Sequence, residues 1–402
     1  MKVFQINTVY NTGSTGHIVA QLKHTVEETG GECLAAFGRG SSLEKNTYKI
    51  GSEPDKYFHA LMTRFTDRTG FYSNGRTKKL IHELISFCPD IIHLHNLHGY
   101  YLNIEILFDF LKEFHKPVIW TLHDSWSYTG HCASYEAVRC EKWKTHCMHC
   151  PKQKEYPASR FTDNSQVNYE RKKKVFSGVE HMRIVTPSRW LAAEVKQSFL
   201  KDYCVQVIPN GIDTDIFKPV KGNAREKWQL GEKDIILGVA SRWTDRKGLH
   251  DFNRLASMLD HRYVIVLVGL SHRQLENLPE NIVGIERTEN MQELAQLYSE
   301  ALVFVNLTYE DNFPSVNLEA LACGTPVITY RAGGSPEAIN EKTGICVEVG
   351  DIEAVADSIE KIRGISREDC RMRGMTFEKT VRFHKYLELY ELMLCENGGQ
   401  AV

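Results

Sequence analysis

Two carboxylates eight residues apart, Asp311 and Glu319, straddle the start of a helix in EDNFPSVNLEALACGTPVITYRAGGSPEAI, Glu310 to Ile339. Pro314 suits a first helical turn, so the free backbone N–H groups near Ser315 and Val316 face whatever precedes the helix, and a phosphate is the natural guest. Glu319, in the second turn, is placed to accept hydroxyl hydrogen bonds from a sugar or a ribose. On spacing alone, a solvated helix start with an N-terminal acid is the competing reading. Upstream, GVASRWTDRKGL carries Arg242 and Lys247 between a buried strand and a helix, where two merely exposed basic residues would look the same. The turn NTGSTGHI, Asn11 to Ile18, has Gly13 and Gly16 where backbone could approach a phosphate at the start of the next helix. Asn11 stands where a dinucleotide fingerprint has its first glycine. Gly38-Arg39-Gly40 ends the second strand in place of an acid, which argues against a nicotinamide cofactor. His123, in TLHDSWSYTGHC, lies at a strand's carboxyl end. With the adjacent acid it could suggest a hydrolytic dyad, but no G-x-S-x-G elbow accompanies it, and a hydrogen-bonded core histidine is the plainer alternative.

These residues need elements to carry them. Short β-rich apolar runs alternate with amphipathic stretches: KVFQIN, a helix-like segment from His17 to Glu28, CLAAFG, then PDIIHLH, PVIWTLHD and RIVTPS. The alternation restarts after CVQVIPNGID with DIILGVAS, YVIVLVGL, NIVGIE, ALVFVNLT and TPVITYR. Such alternation implies parallel sheets with crossover helices, and polar residues at the strands' carboxyl ends are where α/β ligands bind. The break near Pro209 to Gly211 is the expected domain boundary. A last helix from about Glu378 to Cys395 is apolar at Phe383, Tyr386, Leu387, Tyr390, Met393 and Leu394, and is expected to cross back onto the N-terminal domain. The fold class is therefore α/β, in two doubly wound domains: 1–205, 206–377, and a C-terminal helix over 378–402.

The Glu310–Ile339 segment resembles the E-x7-E donor-site motif of the family 4 retaining glycosyltransferases. In that family the spacing is followed by an alanine-rich helix, a Gly-x-Pro-Val strand and a Gly-Gly-x-x-Glu turn. Ala320, Leu321, Ala322, Cys323, Gly324, Pro326, Val327, Gly333, Gly334 and Glu337 match them, while the first acid is Asp311 in place of Glu. Arg242 and Lys247 look like the residues that clamp the donor diphosphate, where preorganised cations stabilise the leaving group. Asn210-Gly211-Ile212-Asp213 is similar to the family's interdomain NGxD hinge, and His123 to its cleft histidine near the transferred sugar. The resemblance implies a GT-B architecture of two facing Rossmann-like domains with an interdomain donor cleft. It implies donor contacts from Gly13, Gly16, Arg242, Lys247, Asp311, Asn312, Phe313, Ser315, Val316 and Glu319. Catalytic roles fall to His123, Arg242, Lys247, Asp311 and Glu319, with no catalytic metal. The implied function is transfer of a sugar, with retention, from a nucleotide-sugar donor to a growing polysaccharide or lipid-linked oligosaccharide of the cell surface. A nucleotide-sugar epimerase of the same architecture and a catalytically silent nucleotide- or sugar-binding protein are the alternatives.

Cys132, Cys140, Cys147 and Cys150 are spaced C-x7-C-x6-C-x2-C inside an insertion at about 125–160. Four thiolates so close suit a structural zinc site in a reducing cytoplasm; free thiols and disulfides are the other readings. Residues 1–205 carry 27 basic and 21 acidic groups, and residues 206–402 carry 22 and 30. A positive N-terminal half favours an anionic partner, and the runs Arg171 to Lys174 and Arg76 to Lys79 are candidate contacts with an anionic membrane, although solvated helix faces are the blander cause. The N-terminus has no apolar core of signal-peptide length, so the expected location is cytoplasmic, on the inner face of the plasma membrane. Nucleic-acid binding has no recognisable reading module in its favour. A hydrophobic fraction of 42% over 402 residues excludes disordered, collagen-like and miniprotein chains.

Overall fold

The computed structural model describes residues 1–398. The chain forms two compact units, Met1–Pro209 with Arg382–Val402, and Asn210–Val381. The first crossing falls at the expected break near Pro209 to Gly211, and the second, after Val381, lies four residues past the expected 377. The reason is local: the chain leaving the first unit pairs with the chain returning to it. The Ile212 amide donates to Phe377 O and the Lys379 amide to Ile212 O, each at 2.9 Å, and Lys379 Nζ reaches Asp213 Oδ2 at 2.5 Å. Both connections therefore belong to the second unit.

The first unit holds a seven-stranded parallel sheet made of β1 (Lys2–Val9), β2 (Glu32–Arg39), β3 (Thr47–Lys49), β4 (Ile91–Leu94), β5 (Val118–Thr121), β6 (Met182–Thr186) and β7 (Cys204–Val207), in the order β3-β2-β1-β4-β5-β6-β7. The second holds β8 (Asp234–Val239), β9 (Tyr263–Val268), β10 (Ile282–Ile285), β11 (Val303–Asn306), β12 (Val327–Tyr330) and β13 (Gly344–Val347), in the order β10-β9-β8-β11-β12-β13. Every residue of β4, β5, β9, β11 and β12 is buried, as continuous apolar strands covered by helices on both faces require. In each sheet the winding reverses once, between β1 and β4 and between β8 and β11. The crevice beyond the carboxyl ends of strands at such a reversal is where doubly wound sheets hold ligands.

The last helix, Lys379–Gly398, enters the first unit at Arg382. Phe383, Tyr386, Leu387, Tyr390 and Met393 recur every three or four residues and are buried against Val3, Leu22, Val26, Ile91 and Val185. The insertion after β5 contains no strand, only three short 3₁₀ turns at Trp126–Tyr128, Glu136–Val138 and Lys142–Lys144. It is nonetheless part of the core: Trp126, Tyr128, Tyr135 and Trp143 pack in the same cluster as Phe108, Trp120 and Phe176.

Candidate functional site

In the second unit the loops after β8 and β11 flank the reversal, and the sequence explains why they meet. Gly248 has φ +77°, and a Cβ there would lie 2.3 Å from Leu307 O, so only glycine lets the turn Asp245–Lys247 press against the β11 loop. The contact is then sewn by backbone: the Tyr309 amide donates to Arg246 O at 2.9 Å, and Arg246 Nη1 donates to Glu310 O at 3.1 Å. The result is that Lys247 Nζ stands 2.8 Å from Asp311 Oδ2, an ion pair in which both side chains are partly exposed. Expected to serve a diphosphate and a sugar separately, these two groups are paired with each other. Arg242, earlier in the same loop, is exposed and has no hydrogen-bond or ion-pair partner among the described residues.

Beyond Asp311 the helix Ser315–Ala322 begins directly after Pro314, which precedes the first turn instead of forming it. No side chain caps it. The Asn317 amide bonds Pro314 O at 3.2 Å, so the N–H groups of Ser315 and Val316 have no partner within the helix and are open to an anion. Glu319 lies one turn in, where its Oε2 accepts from Tyr298 Oη at 3.1 Å and the Ser315 hydroxyl also donates to it. Burial pushes its carboxyl above the ordinary value, and these two donors oppose the shift. The Gly333-Gly334 turn after β12 closes the arrangement, with the Gly334 amide on Asp311 O at 3.1 Å. Asn312 sits between, partly exposed. Phe313 departs from its expected donor contact. Its ring is buried against Phe377, 5.8 Å between centroids, and its carbonyl accepts from Asn210 Nδ2 at 3.2 Å, so it supports the loop from below.

In the first unit, Gly13 opens the helix Gly13–Glu28 with φ +64° and nothing within 4 Å of where a Cβ would stand. Its turn is open to a ligand. Gly16 is different: it is buried in that helix, and a Cβ would meet Val9 Cγ2 at 3.1 Å and the Asn11 amide nitrogen at 3.2 Å. By helix geometry its own N–H is already committed to the preceding turn. Gly16 therefore serves close packing of helix on strand, while the unbonded amides are those of Gly13, Ser14 and Thr15.

His123 follows β5 and belongs to a group of rings that sequence reading left aside. The alternation HLH in β4 puts His93 and His95 on one face of the strand, their rings 4.1 Å apart, and this period of two was the available signal. The protons can be assigned along the chain of bonds. Gln5 Nε2 donates to Val19 O at 3.1 Å, so its Oε1 must accept from His95 Nε2–H, also 3.1 Å away. His95 Nδ1 is then bare and accepts from His123 Nε2–H at 3.1 Å. Burial among these rings holds His123 down at about 4 and His93 at about 3, so both are neutral imidazoles at physiological pH. Beside them, His98 Nε2 lies 2.6 Å from Asp124 Oδ2 and Nδ1 2.9 Å from Tyr156 Oη. The hydrolytic-dyad idea thus meets a different partner: the acid beside His123 bonds His98.

Cys132 and Cys147 are buried, Cys140 and Cys150 partly so, and all four line one pocket with His131 and Trp143. None of the four is in a disulfide. In the basic runs, Arg171 grips Glu105 through Nε and Nη2 at 2.9 and 2.7 Å, Lys172 is buried and Arg76 bonds Asp55 at 2.8 Å, while Lys78, Lys79, Lys173 and Lys174 are exposed.

Comparison with known proteins follows the same division. Residues 34–216 match the model of Glycosyltransferase Family 4, and residues 220–373 match that of Glycosyl transferases group 1. The colanic acid biosynthesis glycosyl transferase WcaC of Escherichia coli is 27% identical over 273 residues, 66% of this chain. The match spans 65% of WcaC's own length, short of two thirds. Among solved structures, sucrose-phosphate synthase from Thermosynechococcus elongatus superposes with a TM-score of 0.74 at 19% identity, covering 98% of this chain and 99% of that one. Anabaena HepE in complex with UDP-glucose gives 0.68 at 14% identity, covering 97% and 99%. These likenesses establish two Rossmann-like parallel-sheet domains of the GT-B type.

Proposed function

The chain belongs to glycosyltransferase family 4, and from that premise we propose that it transfers a sugar from a nucleoside diphosphate sugar to a growing polysaccharide or lipid-linked oligosaccharide of the cell surface, with retention of configuration. One observation carries the reading: the reversal point of the second sheet brings the Lys247 ammonium to Asp311, ahead of the uncapped start of the Ser315–Ala322 helix and the Glu319 carboxylate one turn further on, with Arg242 exposed in the same loop as Lys247. Cations and open amides suit a diphosphate, and a half-buried carboxylate suits ribose hydroxyls. Charge growing on the leaving diphosphate is what Lys247 and Arg242 stabilise. The leaving phosphate takes the acceptor's proton, so no side chain is needed as base. His123, neutral and held by His95 and Gln5, orients the sugar or acceptor as a polar contact and not as a cation. The acceptor class is supported by the colanic acid assignment of WcaC, and a uridine donor by the ligand of HepE.

The test is a thermal-shift series with UDP, GDP, ADP and CMP, because a ligand that binds only the folded state raises apparent stability. We expect a selective rise with one diphosphate, about 2.7 kcal/mol at a hundredfold excess over its dissociation constant, abolished in Arg242→Ala. No shift with any of the four at millimolar concentration would favour a silent scaffold. Sugar conversion without any acceptor would favour the epimerase.

The helix Glu53–Thr66 supports a peripheral membrane site for the same enzyme. Its buried side is polar, His59 and Thr63, while Tyr57, Phe58, Leu61 and Phe65 are exposed, and Phe161 stacks on Phe65 at 4.8 Å. Arg64, Arg68 and Arg160 are exposed beside them. An apolar face flanked by arginines is built for an anionic lipid surface, and no described helix is long and apolar enough to cross a membrane. Cosedimentation with phosphatidylglycerol vesicles should fall at least tenfold in Phe58→Ser/Leu61→Ser, since each inserted side chain contributes about 1.5–3 kcal/mol. Binding that is equal on neutral vesicles, or unchanged in the variant, would refute this surface.

A further inference from the structure

The insertion between β5 and β6 poses a physical problem. From about 125 to 160, before the helix Ser165–Phe176, it has no strand and only three single 3₁₀ turns, yet its aromatic residues form part of the core of the first unit. Irregular chain of that length is normally held by something other than backbone ladders. Four of the protein's eleven cysteines are concentrated in it, at Cys132, Cys140, Cys147 and Cys150. The fold returns all four to one pocket, none in a disulfide.

The surroundings of that pocket are arranged for negative charge. The Gly130 amide points at Cys147 Sγ, 3.3 Å away, and the Lys152 amide donates to the Cys150 sulfur. Amides directed at sulfur are the partners a thiolate requires. Lys172 is 1% exposed, and its ammonium bonds only the carbonyls of Trp126 and Thr129, at 2.7 and 3.0 Å, over the Trp126 ring. It forms no salt bridge with a carboxylate among the described residues. A buried ammonium without a counter-charge is costly. His131 adds an orphan. It is 2% exposed, its Nδ1 is engaged by Asp67, and its Nε2 is buried with no hydrogen-bond partner among the described residues, beside the Cys150 thiol.

We propose that Cys132, Cys140, Cys147 and Cys150 bind one structural zinc ion as a tetrathiolate, with the buried Lys172 offsetting its charge. Zinc with four thiolates carries a net charge of −2, which would supply a counter-charge for the buried Lys172 ammonium. Binding converts four thiols to thiolates and releases their protons to solvent, so affinity weakens as pH falls. Zn–S bonds of about 2.3 Å bring sulfurs to roughly 3.8 Å from one another. Among the described residues, the only three metal donors lying within 4.8 Å of one another are His24, Glu27 and Glu44, and Lys23 already bonds both of those carboxylates. The four sulfurs therefore stand wider apart around their pocket, so zinc binding requires their side chains to rotate into it. The ion does no chemistry: it staples an irregular segment to the first unit, as structural zinc does elsewhere.

Metal analysis of the purified full-length chain after dialysis tests this directly. We expect one zinc per chain, lost in Cys147→Ser and in Cys150→Ser and retained in Cys88→Ser, whose thiol is exposed and remote in sequence. Should the ligand variants fail to fold, mercurial titration of the wild-type chain still decides: zinc should be released in step with four thiols. Cobalt exchanged into the site should show intense thiolate-to-cobalt charge transfer. A well-folded, metal-free protein with these four cysteines titrating as ordinary thiols, or a disulfide among them found by mass spectrometry, would overturn the proposal. None of these readouts depends on transferase activity.

Discussion

Lys247→Ala is expected to lower kcat by roughly 10²–10³-fold, the usual cost of removing one preorganised electrostatic group that acts on transition-state charge, while the fold stays intact. The position of Lys247 comes from the backbone: Gly248 lets the turn touch the β11 loop, and the Tyr309 amide and Arg246 guanidinium lock it there. Among the described residues the side chain itself is held only by Asp311, and a partly exposed pair of this kind contributes about 0–1 kcal/mol. Stability should therefore barely change, which separates a chemical role from a structural one. The pairing adds a second expectation. In the free protein Asp311 and a diphosphate compete for the same ammonium, so Asp311→Asn should tighten nucleoside diphosphate binding severalfold even while it slows transfer. Parallel measurement of kcat, diphosphate affinity and melting temperature checks both. Turnover near wild type in a folded Lys247→Ala protein would remove Lys247 from the reaction.

How much of this was legible beforehand depends on the range of the interactions concerned. Continuous apolar strands such as Tyr263–Val268 and the period of the last helix are local patterns, and they foretold parallel sheets and the buried positions Phe383, Tyr386 and Tyr390. The edge strands were less visible: Thr47–Lys49 is three residues long, and Gly344–Val347 opens with a glycine. At the site, spacing marked the segment carrying Asp311 and Glu319, because a loop-to-helix junction is written in adjacent residues. What spacing does not carry is partnership across the sheet. That Lys247 bonds Asp311 and that Phe313 turns inward to Phe377 both depend on contacts between distant segments. The histidine chain is the sharpest case: Gln5, His95 and His123 come from three strands or strand ends and meet only once β1, β4 and β5 are adjacent.

The second large effect is expected at Glu319, and it should move stability and binding in opposite directions. Its carboxyl is held above the ordinary value of 4.5 chiefly by burial, with Tyr298 and Ser315 pulling the other way. A carboxyl whose pKa is raised by folding adds stability below its unfolded value, where both states are protonated, and loses that contribution as pH rises through the folded value. At neutral pH the ionised group is thus a net cost to the fold. Glu319→Gln keeps an oxygen to accept from Tyr298 and removes the charge, so its melting temperature should exceed wild type at pH 7, with the difference vanishing near pH 4. The same change removes a charged acceptor for ribose hydroxyls. Hydrogen bonds to a charged group contribute about 1.5–3 kcal/mol, so diphosphate binding by calorimetry should weaken roughly 10- to 100-fold. If the variant melts lower at pH 7 and binds nucleotide as well as wild type, Glu319 is a packing residue of its helix and the ribose contact must be sought elsewhere.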